Sequence, residues 1–194
     1  MKCEVKICGL VRRADVELAA ALGADYLGFV LYPGSRRFVP AERLAELTNG
    51  LPPHVRKVGV FVDATRDEIR RAVELGGLDV VQLHGSEDAD FAESIDFAPV
   101  WKATYDPDFP AERLVCDAPR GGSGQPGDRE LAARIARIRP VMLAGGVNPD
   151  NAVGLISRVR PAGIDLAGGV ESAPGVKDES KMRELFQNLK GSIL

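Results

Sequence analysis

The chain has 194 residues, 45% of them hydrophobic and 27% charged, values ordinary for a soluble globular fold with one sizeable core. Lys+Arg 25 against Asp+Glu 28 leave a formal net charge of -3, which argues against a broad nucleic-acid- or membrane-binding face built on clustered cations. No apolar run reaches the about 18 residues of a membrane span, no signal peptide is visible, and Cys3, Cys8 and Cys116 form neither a CxxC pair nor a secreted-type framework. The expectation is a cytoplasmic protein with free thiols.

Short β-rich runs alternate with amphipathic stretches along the whole chain. Strands are predicted at 4–8, 26–31, 57–62, 80–83, 100–103, 114–117, 141–144 and 164–167. Several, such as LGFVL and VGVFV, are near-continuous apolar runs, as parallel strands read when helices cover one face and a core the other. Between and after them, helices are predicted at 12–22, 41–49, 66–75, 89–95, 128–138, 149–158 and 179–189. Gly23 suits a helix C-terminus, and Asn148 followed by Pro149 suits a helix start. The stretch 105–113 is too short for a covering helix, so an irregular connection is expected in place of the fifth. Echoes among LGADYLGF, LGGLDVVQL and RPAGIDLA fit repeated helix–Gly–strand units.

Eight strands with right-handed helical crossovers close into a (β/α)8 barrel, expected here as a single domain over residues 1–194. An open doubly wound sheet would want a Gly-rich turn after the first strand, and ICGLVRR lacks GxGxxG.

In such barrels chemistry sits at the C-terminal ends of the strands. The first strand alternates Cys3, Val5 and Ile7 with Glu4, Lys6 and Cys8, so Cys8 ends the ionisable row at the mouth, beside Gly9. A buried structural thiol is one reading of Cys8; a general base, with its pKa lowered by nearby positive charge, is the other. Lys6 could supply that charge or pair with Asp165 on the last strand. Asp117 ends the sixth strand in LVCDAP, where it reads either as a turn cap or as an acid across the mouth from Cys8. Cys116 is expected to point away, into the core.

Glycine turns follow the last three strands: GGSG, ending at Gly124, then Gly145–Gly146 and Gly168–Gly169. Backbone N–H groups in such turns approach a phosphate closely. PGSRR brings Ser35, Arg36 and Arg37 to the mouth, where one arginine can fork a carboxylate. His84 in QLHG is a further mouth candidate, with a hydrogen-bonding role as its simple reading. His54 reads as loop. No HxH, HExxH or carboxylate cluster suggests a metal.

Taken together, VKICGL, GADYLGFVLYPGSRR, VGVFVD, VVQLHG, CDAP…GGSG, LAGGVNPDN and DLAGGVESAPGVKD resemble the phosphoribosylanthranilate isomerase family of tryptophan biosynthesis, in order and along nearly the whole chain. The resemblance implies a barrel that isomerises N-(5-phosphoribosyl)anthranilate to 1-(2-carboxyphenylamino)-1-deoxyribulose 5-phosphate by an Amadori rearrangement, without metal or organic cofactor. It implies Cys8 as general base, Asp117 as general acid, Arg37 on the anthranilate end, and phosphate contacts at Gly145, Gly146, Gly168 and Gly169. Gly124 and His84 are added as substrate-binding candidates. The implied partner is a phosphorylated small molecule, with no nucleic acid or membrane, and the chain is expected as a monomer or homodimer. Two departures stand out. Ala167 and Gly168 replace the family's frequent Ser-Ser or Ala-Ser, and QPGD replaces phenylalanine-aspartate-tryptophan after GGSG. Contact at Gly168 would therefore rest on backbone N–H. Competing expectations are another phosphosugar barrel and a non-catalytic phosphometabolite-binding barrel. A histidine-pathway isomerase would carry aspartates at both strand ends, and a pentose-phosphate epimerase needs a metal site.

Overall fold

Side chains of period two define an inside and an outside, and the backbone closes around that distinction. In the computed structural model, which describes residues 3–118 and 125–192, the barrel strands are β1 (Glu4–Ile7), β2 (Tyr26–Val30), β3 (Arg56–Phe61), β4 (Val80–Leu83), β5 (Val100–Ala103), β6 (Arg113–Cys116), β7 (Val141–Leu143) and β8 (Gly163–Leu166). They pair in chain order, all parallel, and β8 returns to β1 with Lys6 opposite Asp165. Each strand end lies within one residue of its expected position. The covering helices are α1 (Arg13–Leu22), α2 (Leu44–Thr48), α3 (Arg66–Gly76), α4 (Ala89–Ser94), α5 (Arg129–Ile135), α6 (Ala152–Val159) and α7 (Glu179–Ser192). Among the described residues no helix is long and apolar enough to cross a membrane.

Two apolar clusters follow from the alternation. Val5, Ile7, Leu27, Phe29, Leu114, Cys116, Leu143 and Ile164 face outward into the helix layer, which puts Cys116 in the core as expected. Tyr26, Val58, Val80, Trp101, Val115 and Met142 fill the barrel. The Tyr26 and Trp101 rings meet edge-on at 4.8 Å, worth about 0.5–1.5 kcal/mol beyond their burial. The ionisable row of β1 is tolerated inside because it is paired. Glu4 takes the Arg113 guanidinium at 2.5 Å and the Tyr26 hydroxyl at 3.1 Å. Lys6 binds Asp165 at 2.8 Å with both side chains buried, so removing one partner is expected to cost about 3–5 kcal/mol.

Helix ends follow their local chemistry. Gly23 closes α1 at φ 104, and Gly77 closes α3 at φ 55. Thr65 and Glu68 exchange hydrogen bonds as a capping box at the start of α3. The third repeat unit departs from glycine: Arg160, at φ 54, takes the left-handed position after α6. Two helix expectations are corrected. The stretch 41–49 is split into a 3-10 turn (Ala41–Arg43) and α2, a common way to open a short helix. Regular α6 begins at Ala152, after Pro149. Asn148 still caps the preceding turn, because Asn148 and Asn151 each accept the other's backbone N–H. The connection after β5 has no helix, as expected. Arg139 donates to the carbonyls of Pro107, Phe109 and Ala111 there, supplying partners that a helix would have provided.

One element departs from the expected plan. After β8 and a 3-10 turn (Gly168–Val170), β9 (Glu171–Ala173) and β10 (Val176–Lys177) form a small antiparallel hairpin. Its turn uses Gly175 at φ 81, and the Pro174–Gly175 pair is the sequence signal for it.

Candidate active site

A cavity of about 610 Å³ opens over the C-terminal ends of the strands. Every site residue expected from the sequence lines it (Cys8, Arg37, His84, Asp117, Gly145, Gly146, Gly168 and Gly169), apart from Gly124, which lies outside the described residues.

Cys8 follows β1 directly, and its N–H bonds Leu166 O at 2.8 Å, tying the strand end to β8. Gly28 on β2 makes room for it. A Cβ at Gly28 would lie 2.8 Å from the sulfur and 3.0 Å from the Cys8 Cα. Sequence reasoning misses Gly28, although a glycine inside an otherwise apolar strand is a signal of close approach. Gly28→Ala is expected to destabilise the protein by about 1–3 kcal/mol through overpacking. Thermal melting checks this, and an unchanged melting temperature would show that the thiol has slack.

The environment of Cys8 is more charged than its local sequence suggests. The Cys8 thiol lies above its ordinary pKa: burial pushes it up most, Lys6 opposes that most strongly, Asp165 adds to the rise, and Lys177 also pulls it down. Lys6 therefore both pairs with Asp165 and acts on Cys8. Asp165 keeps one buried oxygen, Oδ1, without a hydrogen-bond partner among the described residues, on the wall of the cavity.

Asp117, just beyond β6, accepts the Ala118 N–H at 2.7 Å through Oδ1. Its Oδ2 sits 3.4 Å from His84 Nε2. Gln82 Nε2 lies 3.1 Å from His84 Nδ1. With that amide as donor, Nδ1 accepts and the other ring nitrogen turns its N–H to the carboxylate. His84 is thus a hydrogen-bonding neighbour of Asp117, and Gln82, two residues earlier on the same inward face, supports it.

Arg37 behaves differently from the expectation of a free fork. Its Nε and Nη2 bind both oxygens of Glu171 at 2.9 and 2.7 Å, leaving Nη1 for other work. Gly9, at φ 73, lets the arginine cross the end of β1, since a Cβ there would strike Arg37 Cδ. Arg36 is exposed at the rim of the same cavity.

The two described glycine turns face each other. Gly145 and Gly146 adopt φ 73 and 65, and a Cβ on Gly169 would strike the Val147 carbonyl oxygen, so the turns pack closely. Arg129, which no local pattern marks, gathers the Ala144 and Gly145 carbonyls. Gly168 has open space, where a Cβ would come no nearer than 3.5 Å to Arg37 Nη2.

The family model described as N-(5'phosphoribosyl)anthranilate (PRA) isomerase matches residues 5–188. The N-(5'-phosphoribosyl)anthranilate isomerase of Chromohalobacter salexigens is 44% identical, covering 97% of this chain and 94% of its own length. The crystal structure of phosphoribosyl anthranilate isomerase from Thermus thermophilus is 44% identical with a TM-score of 0.93, covering 97% of this chain and 98% of that one. A further solved isomerase, in complex with reduced 1-(o-carboxyphenylamino)-1-deoxyribulose 5-phosphate, is 31% identical with a TM-score of 0.88, covering 97% and 99%.

Proposed function

The chain belongs to the N-(5'-phosphoribosyl)anthranilate isomerase family of tryptophan biosynthesis, and on that premise we propose how its own residues carry out the isomerisation. Asp117 is the general acid and Cys8 the general base. The reading rests on one observation: a thiol at the end of β1 and a carboxylate at the end of β6 line the same cavity.

Asp117 protonates the furanose ring oxygen as the C1–O bond breaks, and the anthranilate nitrogen lone pair forms the C1=N bond. Cys8, as thiolate, removes the proton from C2. The electrons form C1=C2 and return the nitrogen to an amine. The resulting enolamine ketonises, with C2 becoming the carbonyl and C1 gaining a proton, so the product is an isomer of the substrate. Each proton transfer, given a positioned group, is worth about 10²–10⁴-fold. The phosphate is held by the turns at Gly145–Gly146 and Gly168–Gly169, away from the reacting carbons, where its binding orients C2. The chemistry of the reduced product analogue bound by the 31%-identical relative, a carboxylate at one end and a phosphate at the other, suits a cavity lined by both arginines and glycine turns. Loss of anthranilate fluorescence on adding the protein to phosphoribosylanthranilate tests the activity directly, and no loss would refute it.

The anthranilate carboxylate falls to Arg37 through its remaining Nη1. Arg37→Ala should raise KM by about 10–100-fold, the worth of one charge-assisted hydrogen bond, and Arg37→Lys should recover it only in part. Arg36→Ala should change KM much less. Equal rises in the two alanine variants would move the carboxylate to Arg36.

A further inference from the structure

The hairpin after β8 returns a lysine to the backbone carbonyl of Cys8 from 169 residues away in sequence. Lys177 is wholly buried, and its ammonium has three acceptors for its three protons: the Cys8 carbonyl at 2.6 Å, Glu171 Oε1 at 2.9 Å and the Ala167 carbonyl at 3.1 Å. One side chain thus joins the end of β1, the end of β8 and the hairpin. The Lys177 backbone N–H is itself held by Asp15 at 3.1 Å, whose carboxylate is shared with Arg12.

The charges facing Cys8 come from every element around it. β1 contributes Lys6, β8 contributes Asp165, the loop after β2 contributes Arg37, and the hairpin contributes Glu171 and Lys177. Across the cavity stand Asp117 and His84. Lys6 and Asp165 match each other. Glu171 is shared by two cations, Arg37 and Lys177. The near cluster therefore holds three cations, Lys6, Arg37 and Lys177, against two carboxylates, Asp165 and Glu171. The surplus positive charge favours an anion, and two groups can supply one: a substrate carboxylate on Arg37 at the cavity side and a deprotonated Cys8 on the side of the two lysines.

We propose that Lys177 is the positioning residue for Cys8, pinning the carbonyl end of β1 and adding to Lys6 the positive charge that favours the thiolate. This deepens the reading of Cys8 as general base, and Lys177 itself touches no reacting atom. Burial works against the thiolate, and Lys177 opposes it together with Lys6. Glu171 opposes Lys177's influence by neutralising it, so the two residues should act on Cys8 with opposite sign.

The test is site-resolved alkylation of Cys8 by iodoacetamide, followed across pH by peptide mass spectrometry in the full-length protein. Lys177→Met should raise the midpoint of the Cys8 profile by about one unit, slowing alkylation about tenfold below the midpoint. Glu171→Gln, which keeps the ammonium, should lower the midpoint. Lys177→Arg, which keeps the charge, should lie near the native profile. A purely structural role would loosen the site in both variants and move the two midpoints together or not at all, and either result would overturn the proposal. If Lys177→Met does not fold, the downward shift in Glu171→Gln decides it when repeated in an Arg37→Ala background, where Lys177 is the one cation that the substitution unpairs: a shift that persists supports the proposal and one that vanishes overturns it. The acid limb of kcat/KM should follow the alkylation midpoint upward in Lys177→Met. A midpoint that shifts as expected while that limb stays put would refute Cys8 as the base and leave the charge assignment standing.

Discussion

Cys8→Ser should lower kcat by about 10²–10⁴-fold while leaving the affinity for a reduced, non-isomerisable product analogue nearly unchanged. The substitution keeps the shape of the side chain and its place against Gly28, where a Cβ would already lie 2.8 Å from the sulfur. Only the acidity changes. A free thiol titrates near pH ~8.5, and burial raises Cys8 above that while Lys6 and Lys177 oppose the rise, whereas the far less acidic serine hydroxyl stays protonated in the same place. The expected stability loss is about 1 kcal/mol, which moves melting by about 2–4 °C in a chain of this size. Fluorescence turnover and a melting curve on one preparation separate chemistry from folding. Near-normal turnover would remove Cys8 from the mechanism whatever the barrel looks like.

The period-two pattern alone makes the inner face of each strand legible. Glu4, Lys6 and Cys8 point inward, as expected from one short strand, and so does Asp117. Local chemistry also announces the missing fifth helix and the glycine stop at Gly23. What stays hidden depends on which distant residues the closed barrel brings together. The sequence offers Lys6 either Asp165 or Cys8, and the β1–β8 register joins it to the first while leaving it close enough to act on the second. Arg37 reads locally as a free fork in PGSRR, yet Glu171, 134 residues later, occupies two of its nitrogens. Lys177 lies in a hairpin too short to show periodicity, so neither its strand nor its burial is visible in the local pattern. Gly28 is an ordinary strand residue until Cys8 is packed against it. In each case the deciding contact is set by strand register and hairpin placement, which local patterns do not encode.

Asp117→Asn is expected to abolish most turnover of the natural substrate, again by about 10²–10⁴-fold, but to spare an analogue whose ring cannot close. Asparagine is nearly isosteric: its side-chain oxygen keeps the Ala118 N–H, and its amide N–H can be accepted by His84 Nε2 once the ring takes its other tautomer and Gln82 turns its Oε1 to Nδ1. What it lacks is a proton that can be given to the ring oxygen. An acyclic analogue without the 4-hydroxyl has no furanose to open, and its imine is already at the stage where C2 is deprotonated. The Asn variant should turn it over within about tenfold of the native rate, and Cys8→Ser should remain as impaired on it as on the natural substrate. This crossed pattern assigns ring opening to Asp117 and C2 deprotonation to Cys8, because a general disturbance of the cavity would slow both substrates in both variants. If Asp117→Asn is equally slow on the acyclic analogue, the carboxylate acts at C2 or on binding, and the ring oxygen needs another donor. His84, 3.4 Å from Asp117, is then the first group to replace.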